Sequence, residues 1–128
     1  MSGEAYTYRY YRLSPTEREG LLEKIRNILE RKDVELAVVF GSFVELESFR
    51  DIDIAVHGKN LELEDVLQMS AELEDVLKTP VDVVPLSTLN PKFRHHVLVK
   101  GKMIIDRRPG LYEALLIQAL DEIAIMES

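Results

Sequence analysis

The sequence contains no cysteine, which excludes disulfides and thiolate metal sites and fits a reducing compartment. It has no long apolar run either. Stretches such as LAVVF at 36–40 are far too short to cross a bilayer. The opening residues, MSGEAYTYRYYR, lack the apolar centre of a signal peptide, so a cytoplasmic location is the expectation, with no membrane involvement. Positive charge is also in short supply: 16 Lys and Arg stand against 23 Asp and Glu, a formal net charge of −7. A protein that grips nucleic acid mainly through its phosphates carries a basic excess, so direct nucleic-acid binding is not expected. The acidic balance suits a protein partner, or an anionic substrate whose charge is bridged by a divalent cation. No repeat, linker or low-complexity segment interrupts the chain.

What remains is a globular composition, 46% hydrophobic and 30% charged over 128 residues. That is enough for one core and a single domain spanning 1–128. Within the segment 1–13, Tyr6, Tyr8 and Tyr10 alternate as in an edge strand, with Tyr11 beside them. Aromatic residues packing on a partner, or a plain terminal segment, fit equally well.

SPTE at 14–17 is a helix start, with Ser14 as cap, Pro15 at the first helical position and Glu17 completing a capping box. Leu21, Leu22, Ile25, Ile28 and Leu29 recur at helical spacing and predict a helix over 15–31. ELAVVF reads as a buried strand and IDIAV at 52–56 as a second. Leu63, Val66, Leu67, Leu73, Val76 and Leu77 mark another amphipathic helix. Pro80 ends it, and VDVVP at 81–85 is a third strand. A short helix over 91–98, a strand over 102–105 and a closing helix from Leu111 complete the chain. The expected fold is α/β (α+β), a mixed sheet of about four strands covered by helices.

The chemistry concentrates in GSFVELESFRDID at 41–53. Side chains on a strand alternate between faces, so Asp51 and Asp53 project to one side while Ile52 and Ile54 enter the core. Two carboxylates so placed repel each other when ionised, and hard oxygen ligands suit Mg²⁺. Asp82 repeats the pattern, one carboxylate in an otherwise apolar strand, where a lone acid would be costly to bury. If the third strand lies beside the second, Asp82 completes a trio. Gly41 lets the backbone approach a phosphate closely, and its N–H, that of Ser42 and the serine hydroxyl can bind anionic oxygens. A phosphate-holding turn opposite three carboxylates equips a protein for phosphoryl or nucleotidyl transfer. D-x-D alone, or Gly-Ser alone, is a weak signal; their joint order with Asp82 is what makes the reading specific.

F-G-S, D-I-D-I-A-V and V-D-V-V together resemble the nucleotidyltransferase superfamily of DNA polymerase beta. More narrowly, the chain is similar to the minimal nucleotidyltransferases (MNT), by its size and its lack of a second domain. The resemblance covers roughly residues 20–125, including V-L-V-K-G-K-M-I-I-D before the closing helix. It implies that Gly41 and Ser42 hold the nucleotide phosphates. Asp51 and Asp53 would bind two Mg²⁺ ions, and Asp82 would share a metal and help to deprotonate the acceptor hydroxyl. It further implies transfer of AMP from ATP to a tyrosine of a HEPN-domain ribonuclease toxin, with the MNT protein acting as antitoxin in a heteromeric complex. The chain departs from the family's pattern between the two ends of the motif. Only eight residues, Phe43 to Arg50, separate Ser42 from Asp51. Phe43 stands where the family commonly has arginine, no glycine follows, and Arg50 takes the place of a frequent serine. An MNT-fold antitoxin that neutralises a HEPN partner by contact, with weak or no catalysis, is the alternative. A small-molecule nucleotidyltransferase is disfavoured, because such enzymes use a second domain to build the acceptor pocket.

Among other candidates, His57, His95 and His96 show no ligand spacing, so surface or satisfied polar roles are expected. Lys100 and Lys102 flank a glycine in what reads as a solvated turn. The acidic helix ELEDVLQMSAELEDVLK presents a solvated face over an apolar stripe. The last helix is apolar enough for its outer side to serve a partner or a homodimer.

Overall fold

A computed structural model describes residues 11–127; the candidate edge strand at Tyr6 to Tyr10 lies outside the described residues. The chain runs β1 (Tyr11–Arg12), α1 (Pro15–Leu29), β2 (Leu36–Phe40), α2 (Ser42–Glu45), β3 (Ser48–Phe49), β4 (Ile52–His57) and α3 (Leu63–Leu77). It continues with β5 (Val81–Pro85), a 3₁₀ turn over Leu86–Thr88, α4 (Pro91–Lys100), β6 (Lys102–Asp106) and α5 (Leu111–Glu127). The expected helices and strands form within a residue or two of their predicted limits. The additions are α2 and β3, inside a segment that the sequence suggested was loop, and the 3₁₀ turn after β5.

The α1 capping box is complete. Glu17 N–H donates to Ser14 Oγ (3.2 Å) and Ser14 N–H donates to Glu17 Oε1 (2.9 Å), which satisfies two donors that a helix start leaves free. Asn90 caps α4 through the Phe93 N–H (2.9 Å).

Four strands form one mixed sheet in the order β5-β4-β2-β6. β2 lies antiparallel to both β4 and β6, whereas β4 and β5 are parallel and joined through α3. Period-two alternation sorts the side chains of the sheet onto two faces. Ala37, Val39, Ile54 and Val83 pack under α1 and α3, against Leu22, Ile25, Met69 and Leu73. Leu36, Val38 and Ala55 point the other way, against Val97 and Leu98 of α4 and Leu111 and Leu115 of α5. Both interiors are closely buried and mainly aliphatic, with Phe43 and Phe49 added in the first, and such burial is the main source of stability for a domain of this kind.

β5 is an edge strand, and α3 covers its outward donors. Val81 N–H donates to Glu74 Oε2 (3.0 Å) and Val83 N–H to Ser70 Oγ (3.0 Å). An exposed edge is a template for unwanted pairing; here the cover also fixes the strand that carries Asp82. No helix among the described residues is long and apolar enough to cross a membrane.

Candidate active site

The sheet register places the acidic residues. Asp53 stands opposite Asp82 across the parallel β4–β5 pair, and opposite Phe40 across the antiparallel β2–β4 pair. Neighbouring strands lie about 4.8 Å apart, so Asp82, Asp53 and Phe40 form one transverse row on the face shared with α4 and α5. The β2 strand ends at Phe40, and the next two residues are Gly41 and Ser42, the latter opening α2. Asp51 lies in the bend just before β4. The adjoining Ile52 N–H donates to Pro80 O (3.0 Å), which holds the start of β4 against the start of β5. Gly41, Ser42, Asp51, Asp53 and Asp82 thus meet at one end of the sheet.

Gly41 and Asp53 press against each other. Gly41 has φ +80° and ψ −154°, a backbone region that side chains essentially exclude. A Cβ at this position would sit 2.6 Å from Asp53 Oδ2. Glycine is therefore required twice over, by its own conformation and by the carboxylate beside it.

Asp53 is half-buried, and its pKa is pushed up to about 6, first by burial and then by the charges of Asp51 and Asp82. No ion pair from a described residue compensates the three carboxylates. Among the described residues, no three His, Cys, Asp or Glu side chains are grouped closely enough to hold a metal ion as they stand. The donor set itself suits a hard divalent ion, being oxygen-only and carrying an excess of negative charge that such an ion relieves.

The segment between the two ends of the motif is packed tightly. Phe43 is buried and meets Phe49 edge to face, with ring centroids 4.6 Å apart, while Tyr11 stacks on Phe49 at 5.5 Å. Arg18 of α1 lies over both phenylalanine rings, 5.1 and 5.3 Å from their centroids. Its guanidinium donates to the carbonyls of Phe43 and Glu47, and to that of Leu46 at 3.1 Å. These are carbonyls that a four-residue helix and the turn after it leave unpaired. Phe43, the residue at the family's arginine position, is thus a core residue, and Arg18 clamps the loop from α1. The sequence carried no local signal for this: Arg18 and Phe43 are 25 positions apart.

The remaining candidates are scattered. His57 ends β4, at the opposite end of that strand from Asp53. His96 lies 3.6 Å from Glu45 of α2 and stacks beside Phe93. Lys102 pairs with Glu19 at 3.0 Å in solvent.

The fold is that of a nucleotidyltransferase domain. The chain belongs to the "Polymerase beta, Nucleotidyltransferase" family, whose model matches residues 23–109. Among solved structures, it is similar to a chain of the toxin–antitoxin MntA–HepT crystal structure, at TM-score 0.70 and 20% identity over 85% of this chain and 89% of that one. A toxin–antitoxin crystal structure with AMP-PNP gives TM-score 0.72 and 22% identity over 83% and 89%. Tri-AMPylated Shewanella oneidensis HEPN toxin in complex with MNT antitoxin gives 0.71 and 21% over 86% and 89%. At these identities the likeness is one of fold. No protein of curated function matches the sequence.

Proposed function

We propose that this chain is a Mg²⁺-dependent nucleotidyltransferase that moves AMP from ATP to a protein hydroxyl, a tyrosine of a HEPN ribonuclease toxin, and so acts as an antitoxin. The observation that carries the reading is the register. Asp82, supplied by a separate strand 29 positions beyond Asp53, stands directly opposite it, beside a Gly-Ser turn in which a glycine is sterically required. A pure binding module has no use for a charge cluster that opposes folding. Similar folds occur in complexes that hold AMP-PNP or an AMPylated HEPN toxin, which supports ATP as donor and the toxin as acceptor.

In this reading Gly41 N–H and the Ser42 N–H and hydroxyl hold phosphate oxygens, while Asp51 and Asp53 hold the ions. Held there, Mg²⁺ would supply positive charge against the triphosphate and would lower the pKa of the acceptor hydroxyl. Asp82, the most exposed of the three aspartates, faces the side from which a protein acceptor approaches and takes its proton. The acceptor oxygen bonds to the α-phosphorus, the bond to the β-phosphate oxygen breaks, and pyrophosphate leaves.

The outer side of α5 exposes Ile117, Leu120, Ile125 and Met126, an apolar surface that favours a second reading, neutralisation by contact alone. One experiment separates the two. The protein is incubated with labelled ATP, Mg²⁺ and its HEPN partner. Label on the partner that disappears with Asp53→Asn supports the enzyme. Neutralisation that survives Asp53→Asn, with no label transferred by the wild type, supports the binding antitoxin.

A further inference from the structure

The row Asp82–Asp53–Phe40 does not stop at the sheet. Phe93 of α4 meets Phe40 edge to face, with centroids 5.7 Å apart and planes at 79°. Phe93 is 41% exposed although it lies in a helix whose neighbouring residues Arg94, Val97 and Leu98 are buried. One turn on, His96 lies nearly parallel to it, at 6.2 Å and 12°. His96 in turn reaches Glu45 of α2, Nε2 to Oε2 at 3.6 Å. The two rings therefore touch residues that flank the Gly41–Ser42 turn in sequence, Phe40 before it and Glu45 of α2 after it.

Core packing does not account for Phe93. Its edge contact with Phe40 covers one side of the ring, and 41% of the residue stays exposed. A part-exposed ring, backed by a residue that adjoins the Gly41–Ser42 turn, is what a nucleobase needs. Bases stack on aromatic faces while their phosphates are held elsewhere, and such stacking is worth roughly 1–3 kcal/mol per base. Asp53 and Phe40 are strand neighbours, about 5 Å apart, and the Phe93 ring meets that of Phe40 at 5.7 Å between centroids, which places Phe93 one side chain away from the aspartate row.

We propose that Phe93, backed by Phe40 and extended by His96, is the platform on which the base of the nucleoside triphosphate stacks. The proposal rests on the nucleotidyltransferase reading and assigns the end of the substrate that the aspartates and Gly-Ser turn leave unbound. It puts the base on the β2–α4 side of the row. The acceptor is left to the opposite side, at the β5 edge where Asp82 is exposed.

The protein has no tryptophan, so Phe93→Trp installs a single emitter on the platform without removing the aromatic face. Binding of MgATP and of magnesium inorganic triphosphate, which has no base, is measured by calorimetry for the wild type, Phe93→Ala and Phe93→Trp, with tryptophan emission followed in the last. Phe93→Ala is expected to weaken MgATP at least about fivefold and to leave inorganic triphosphate unchanged. Phe93→Trp is expected to keep MgATP affinity, with its emission changed by MgATP and not by triphosphate. The platform is overturned if Phe93→Ala binds MgATP as tightly as the wild type, including the case in which it loses only partner binding. It is also overturned if Phe93→Trp binds MgATP with unchanged emission. A wild type that binds neither MgATP nor triphosphate overturns the nucleotidyltransferase reading and the platform together.

Discussion

Between Gly41 and Asp53, two regions a few residues apart are held by opposite means. From Phe43 to Phe49 the chain is compensated: its rings pack on one another, and one guanidinium both covers them and answers three carbonyls. At Asp51, Asp53 and Asp82 like charges face each other without an ion pair from any described residue, and Asp53 resists ionisation. A protein selected for stability alone would not place three carboxylates so. The contrast divides the labour. The loop packs beside the Gly-Ser turn, and the carboxylates carry an excess of negative charge that a divalent cation would relieve. Stability is invested next to the site so that it can be withheld within it.

The largest way to test this contrast is at the charged end. Asp53→Asn is expected to lower AMP transfer by at least about 10³-fold, since a metal ligand acts on every charge developed in transfer. Retention of activity within tenfold in a radiolabel assay removes Asp53 from the metal site.

Gly41→Ala strikes the boundary between the regions. It forces a side chain into a positive-φ conformation and drives its Cβ against Asp53 Oδ2. We expect a loss of about 2–3 kcal/mol of stability, together with loss of activity. Relief of the steric part in Gly41→Ala/Asp53→Ala, measured by urea denaturation as a non-additive double-mutant cycle, would localise the clash.

At the compensated end, Arg18→Met keeps the aliphatic cover but removes the donors, with an expected loss of about 2 kcal/mol. Arg18→Lys recovers little, because a single ammonium cannot span carbonyls that the guanidinium fork reaches together. Full rescue by lysine would show that charge over the rings, and not the fork, holds the loop.

The smallest effect is the pH dependence of Asp53. Its folded pKa, about 6, lies above the ordinary value of 3.8, so the folded state holds the proton more tightly. The associated stability is fully present below pH about 4 and is lost as pH rises through about 6. Above that, ionised Asp53 opposes folding. After allowance for solvent at a half-exposed site, the difference is about 1 kcal/mol. Asp53→Asn is thus expected to be more stable than the wild type at pH 7.5 and nearly equal to it at pH 4. Mg²⁺ narrows the gap at pH 7.5 by stabilising the wild type only. A gap that is constant across this range contradicts the charge argument.

The ordered elements were legible because their signals are local. The Ser14–Glu17 capping box, the run 36–40 and the stripe from Val66 to Leu77 each state their own geometry through spacing of three, four or two. The candidate site was legible at its ends for a related reason: an aspartate inside VDVV contradicts its surroundings and so announces a purpose. The middle was not legible. Phe43 reads as a lost arginine when compared with the family's pattern, yet in the fold it is a buried ring under Arg18. Nor did Phe93 stand out, since a phenylalanine in a helix is usually core; only its exposure and its place at the end of the row distinguish it.

The sequence by itself determined the main helices and strands, the two-faced sheet and the acidic candidates, because propensity, periodicity and the cost of a buried charge act over a few residues. Tertiary structure alone decided that Asp82 stands opposite Asp53, that Arg18 holds the carbonyls of the loop and that Phe93 meets Phe40 at the end of the row. Those relations depend on strand register and helix docking, which the whole core sets and which no short stretch of sequence encodes.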